Sequence, residues 1–109
     1  MARHHVCKRT ELDDGRLMVD LPDGEQVLLI EHAGVLHAIG AMCPHQFAPL
    51  VGGDIDDRGI LTCPLHGWRF ALTDGTDPEN AFSCVPVWPC GEDDHGIWVD
   101  PAGRQGDVF

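Results

Sequence analysis

The feature that most limits how this chain can fold is its punctuation. Thirteen glycines and eight prolines interrupt 109 residues, and no stretch of ten or more residues keeps a clean helical apolar period. What lies between the breaks is short and rich in β-formers. Arg16–Leu21 reads RLMVDL and is followed by Pro22-Asp23-Gly24, where proline presets φ and glycine accepts a positive φ. Glu25–His32 reads EQVLLIEH, then comes Ala33-Gly34, then Val35–Ala41. These three runs predict an antiparallel meander. Gly59–Cys63 and Trp68–Leu72 predict two more strands, and Thr73-Asp74-Gly75 closes that pair. Val85–Trp88 and Gly96–Val99 read as a last hairpin joined through Glu92-Asp93-Asp94-His95. The expected fold is all-β, one domain of about eight short strands.

Charge narrows the partners. Seven Lys and Arg against 18 Asp and Glu give a formal net charge of −11. Phosphate binding needs a basic footprint, so nucleic acid is excluded as the main partner. An anionic membrane surface is disfavoured for the same reason. The longest aliphatic run is Val27–Ile30, too short for a membrane span or a signal-peptide apolar region. The expectation is a cytoplasmic monomer. Five cysteines is an odd count, which argues against a disulfide framework, and in a reducing compartment clustered Cys and His point to metal. The acids are unevenly spread: residues 74–109 hold eight acids and one Arg, whereas residues 43–73 hold three acids and two Arg.

That nearly neutral middle holds the chemistry. Cys43-Pro44-His45 and Cys63-Pro64-Leu65-His66 form the pattern C-x-H and C-x2-H, separated by residues 46–62. Each cluster supplies one thiolate and one imidazole at the end of a predicted strand, and Gly67 follows the second. Thiolate with imidazole favours zinc, copper or iron–sulfur over magnesium or calcium. Structural zinc sites usually space paired ligands as C-x2-4-C and H-x3-5-H, so zinc stays open but fits poorly. The alternative is a [2Fe–2S] cluster with two Cys on one iron and two His on the other. Four thiolates would make the oxidised site a dianion, whereas two thiolates and two neutral imidazoles leave it neutral. An added electron then costs less, and potentials rise to roughly −150 to +300 mV against about −400 mV for all-Cys plant-type sites.

With these residues in view, C-P-H followed by C-x2-H-G resembles the Rieske ferredoxins. Ala41-Met42-Cys43-Pro44-His45-Gln46 and His66-Gly67-Trp68-x-Phe70 are similar, more narrowly, to the ferredoxin components of toluene monooxygenase-type systems, which are multicomponent bacterial diiron oxygenases. The likeness runs from Val6 to Val99. It implies a Rieske-like antiparallel β-sandwich or barrel with a small cluster-binding subdomain made of two ligand loops. One domain would span residues 1–109, with a basal part near 1–41 and 73–109 and the cluster-binding part near 42–72. One [2Fe–2S] cluster is implied, with Cys43 and Cys63 on the inner iron and His45 and His66 on the outer iron near the surface.

The resemblance also implies a role without catalysis: a soluble one-electron carrier between an NADH-dependent flavoprotein reductase and a terminal oxygenase of aromatics or hydrocarbons, including a ring-hydroxylating dioxygenase. The alternatives are a small Rieske subunit of a nitrite reductase and a zinc-stabilised interaction module. Rieske proteins of respiratory cytochrome complexes place a disulfide at the positions held here by Ala48 and Leu65, and a Ser where this chain has Trp68. Fewer donors to the cluster imply a potential toward the low end of the range.

The other signals have plainer expectations. Cys7, Cys84 and Cys90 read as small buried hydrophobes. His4, His5, His32, His37 and His95 read as solvated surface residues. Gln46, Phe47, Pro49 and Leu50 would form an apolar docking patch around the His ligands, and Trp68 would either shield the cluster or pack. Asp56-Asp57 and Glu92-Asp93-Asp94 read as solvated turns, with the overall negative charge steering the carrier toward basic partners.

Overall fold

The computed structural model describes residues 3–42, 49–64, 67–77 and 80–105. Among these, twelve strands follow one another: β1 (His4–Cys7), β2 (Arg16–Asp20), β3 (Gln26–His32), β4 (Val35–Gly40), β5 (Asp54–Ile55), β6 (Ile60–Thr62), β7 (Arg69–Ala71), β8 (Thr76–Asp77), β9 (Asn80–Cys84), β10 (Val87–Trp88), β11 (Cys90–Asp93) and β12 (Gly96–Val99). Every pairing between them is antiparallel. The described helical segments are short 3-10 turns at Arg9–Glu11 and Pro101–Gly103. No helix among the described residues is long and apolar enough to cross a membrane.

The predicted meander is the spine. β2, β3 and β4 pair in sequence, with Val19 opposite Val27 and Leu28 opposite Ile39. A two-residue turn joins β3 to β4, with φ of 52° at Ala33 and 79° at Gly34. Positive φ at both positions gives the turn a twist that matches the strands, which explains the glycine and leaves the alanine strained.

β3 explains the fold's thickness. Val27, Leu28, Leu29 and Ile30 are all completely buried. Successive side chains point to opposite faces of a strand, so a continuous apolar run has to be covered on both sides. Leu28 and Ile30 belong to one core with Ile39, Leu50, Leu61, Cys63 and Phe70. Val27 and Leu29 belong to another with Ala38, Trp88, Ile97 and Val99. The sheet β5–β6–β7 contributes to the first core and the sheet β1–β12–β11 to the second.

The expected last hairpin is corrected. β10 pairs with β4, adding a fourth strand to the spine, and it is β11 that pairs with β12. Pro86 and Pro89 flank β10 and cannot donate to a ladder, so the strand stays short and leaves the sheet. Glu92 and Asp93 are therefore strand residues opposite Ile97 and Gly96, not loop. Cys90-Gly91-Glu92-Asp93 has little intrinsic β preference and is held by its partner. The tail closes the edge of β10, where Val87 and Gln105 exchange both backbone hydrogen bonds at 2.8 Å.

Candidate functional site

The first candidate loop leaves the spine at the end of β4. Ala41 is buried, Met42 bridges to Pro49, and the Leu50 amide donates to the Ala41 carbonyl at 2.9 Å. The outgoing and returning arms thus lie side by side at Ala41–Met42 and Pro49–Leu50. Cys43 and His45 follow the outgoing arm in sequence and lie outside the described residues. The returning arm makes a tight turn, in which the Gly53 amide donates to the Leu50 carbonyl at 2.9 Å.

The second candidate loop is a hairpin between β6 and β7. The Cys63 amide donates to the Trp68 carbonyl at 2.6 Å, and the Gly67 amide donates to the Cys63 carbonyl at 3.1 Å. Gly67 has a φ of 73°, a conformation that suits glycine. Cys63 follows β6 and is 2% exposed. His66 lies outside the described residues.

Two contacts bring the loops together. Ala41, Leu50 and Cys63 share the first core, and Trp68 packs against it. Gly53 lies so close to β6 that a Cβ there would stand 2.3 Å from the Thr62 carbonyl oxygen. Only a residue without a side chain allows the first loop to return directly over the residue that precedes Cys63. Loop stems held this way bring the buried thiol of Cys63 beside the stem from which, in sequence, Cys43 and His45 follow. The donor set and this convergence fit a small iron–sulfur centre.

Several expectations change in space. Leu50 is wholly buried, so it belongs to the core and not to a docking patch. Pro49 is exposed, and Val51, not singled out from the sequence, is 38% exposed on the returning arm. Gln46 and Phe47 lie outside the described residues. The segment that is nearly neutral in sequence is flanked by acids in the fold. Asp20, Asp23 and Glu25 line the groove beside Met42, and Asp13, Asp14 and Asp54 line the one beside Val51–Gly53. Nothing local in the sequence signals this, because β2 and its turns supply most of the charge.

The remaining cysteines and histidines lie elsewhere. Cys7 and Cys90 pack against the second core. Burial pushes the Cys90 thiol up to about 11, and burial together with the nearby Glu11 carboxylate raises that of Cys7. Cys84 is buried. His5 Nε2 contacts the Asp93 carboxylate at 2.9 and 3.0 Å, and its ring meets His95 edge-on. His37 departs from the surface expectation. It is half-buried, and desolvation holds its pKa below the ordinary value although its ring also bonds the Leu72 backbone. The acidic turns order themselves. Asp56 accepts from the Ile60 and Arg58 amides and Asp93 from the His95 amide, and these bonds lower both carboxyl pKa values.

The model of the Rieske [2Fe–2S] domain matches residues 2–89, and the chain belongs to that family. A single [2Fe–2S] cluster is accordingly its cofactor. Zinc, which residue types alone left open, gives way to that match.

The chain is 31% identical over 105 residues to the ferredoxin component of the alkene monooxygenase system of Xanthobacter autotrophicus, covering 94% of this chain and 86% of that protein. Among solved structures it is similar to a protein from Mycobacterium tuberculosis assigned as the small subunit of an NADH-dependent nitrite reductase, at TM-score 0.79 and 30% identity over 98% of this chain and 97% of that one. It is also similar to the ferredoxin of carbazole 1,9a-dioxygenase from Nocardioides aromaticivorans IC177, at TM-score 0.79 and 25% identity over 93% and 99%.

Proposed function

We propose that the chain is a one-electron carrier that takes electrons from an NADH-dependent flavoprotein reductase and delivers them to a terminal oxygenase of hydrocarbons or aromatics. In this reading Cys43, His45, Cys63 and His66 hold the cluster, with the two cysteines on the inner iron and the two histidines on the outer one. Residues 42–72 form the cluster-binding part on a basal domain made of 1–41 and 73–109. When bound, the cluster supplies a site that gains and loses one electron.

The chain's own residues do the rest. The arms Ala41–Met42 and Pro49–Leu50 close the first tip, and the Cys63–Trp68 pairing closes the second. Cys63 lies in an apolar core that keeps water from the inner side. Acids beside both arms of the first loop favour a basic partner face and raise the rate of encounter. The carrier would be a cytoplasmic monomer that docks transiently. The observation that carries this reading is the near end-to-end relation to an oxygenase ferredoxin, which spans 94% of this chain and 86% of that relative.

The test uses purified protein with its cluster, NADH, the flavoprotein reductase and the terminal oxygenase encoded beside it. Reduction of the chain by NADH only in the presence of the reductase, and substrate-dependent reoxidation by the oxygenase, are expected. Added salt should slow the reduction. Failure to reoxidise with any oxygenase present in the same gene cluster would end the assignment. A second reading, the small subunit of a nitrite reductase, is supported by the 30% identity and full-length overlay with the mycobacterial protein. It requires stable copurification with a large sirohaem subunit, which a mobile carrier would not show.

A further inference from the structure

Arg16 lies on β2, the outer strand of the spine, and belongs to neither ligand loop. Its backbone is fixed by pairing with Ile30 and by a bridge to Asp13. Its side chain reaches across to the first loop. Nη1 donates to the Val51 carbonyl at 2.7 Å and to the Gly53 carbonyl at 2.6 Å. Both carbonyls sit on the turn by which the first loop returns. The opposite side of that turn rests on β6, where Gly53 leaves no space for a Cβ against the Thr62 carbonyl. The turn is therefore held between a guanidinium on one side and the strand that delivers Cys63 on the other. Hydrogen bonds from a charged donor are stronger than neutral ones. The planar guanidinium also loses less freedom per bond than a lysine ammonium on its flexible stem.

We propose that Arg16 is a positioning residue for the iron–sulfur site: by clamping the Val51 and Gly53 carbonyls it holds the first ligand loop against the second and fixes their separation. This rests on the reading that the two loops hold the cluster between them. Arg16 acts through the turn, and its hydrogen bonds among the described residues go to these two carbonyls. Groups that hold a metal's ligands in place commonly change metal retention by about 10–100-fold when removed, and a clamp acting one step further out, through the turn, is expected to work toward the lower end of that range.

The test compares wild-type protein with Arg16→Gln and Arg16→Lys, all carrying the cluster. Chelator-driven loss of visible absorption is expected about tenfold faster or more in Arg16→Gln, with Arg16→Lys in between. The electron paramagnetic resonance spectrum of the reduced protein should broaden in the same order. Hydrogen exchange read by mass spectrometry should speed up in the segment 49–56 of Arg16→Lys and stay unchanged in 26–32. Equal release, spectra and exchange in all three proteins would overturn the clamp. So would acceleration shared by both segments, which would make Arg16 a general stabiliser. Should Arg16→Gln not fold, the Arg16→Lys exchange pattern decides alone. Iron and acid-labile sulfide in the wild-type protein test the underlying reading separately: their absence would refute the cluster, while the exchange comparison would still judge the clamp.

Discussion

The two faces of β3 carry the same kind of side chain toward different ends. Leu28 and Ile30 face the core that contains Cys63, Leu50 and the stems of both ligand loops. Val27 and Leu29 face the core against which Cys7 and Cys90 pack beneath the β1–β12–β11 sheet. Both faces are equally dry, yet one carries the stems of both candidate loops and the other only packs the thiols of Cys7 and Cys90. The difference lies in what covers each face. The first is covered by short strands and by the glycine-bearing stems of the two candidate loops. The second is covered by a β-hairpin and an N-terminal strand whose cysteines remain within the sheet. Burial alone therefore does not distinguish Cys63 from Cys90; what differs is that the stems of both candidate loops converge beside Cys63.

The comparison breaks most plainly at the cysteines. Cys63→Ser should remove iron, acid-labile sulfide and visible absorption, whereas Cys90→Ala should keep all three. Loss of the cluster in Cys90→Ala would erase the division between the faces. Next in size are Leu28→Ala and Leu29→Ala, each expected to cost about 2–5 kcal/mol in denaturant unfolding. Cluster release measured below the unfolding transition should accelerate in Leu28→Ala only.

A smaller effect comes from pH. Burial raises the Cys90 thiol in the folded state from the ordinary value of 9.0 to about 11. Below the unfolded pKa the thiol is neutral in both states and costs nothing. As pH rises from 9.0 toward 11 the unfolded state ionises first, so stability is lost through that window. The loss should reach about 1–2 kcal/mol after allowance for partial exposure. Comparing denaturant midpoints of wild type and Cys90→Ala between pH 8 and 11 isolates it. A parallel decline in the two proteins would show that the thiol does not titrate this way. Smallest is the β3–β4 turn that both faces share. Ala33→Asn should relieve the positive φ and raise stability by about 1 kcal/mol without altering cluster release, as thermal unfolding and chelator assays would show.

Much of this was legible in the residues themselves. The β2–β3–β4 meander follows from RLMVDL, EQVLLIEH and the turns between them, and the unbroken VLLI run marks a strand covered on both sides. The mixed Cys–His spacing pointed to the cofactor that family membership now supports. The short elements were less legible: β1, β5, β8 and β9 have two to five residues each and lean on their partners. The partner of β12 was misread because Val85–Trp88 has the stronger β propensity, while Cys90–Asp93 has the position.

What the sequence alone determined is therefore what depends on neighbours along the chain: strand periodicity, turn chemistry and the identity of donors a few residues apart. Tertiary structure decided what depends on which edges and faces meet. It buried Leu50, separated Cys90 from Cys63, ranged the acids of β2 and its turns beside the first loop and brought Arg16 to the carbonyls of Val51 and Gly53. These are long-range meetings, and no local spacing encodes them, because they form only when the backbone hydrogen bonds of distant strands and the packing of two cores are satisfied together.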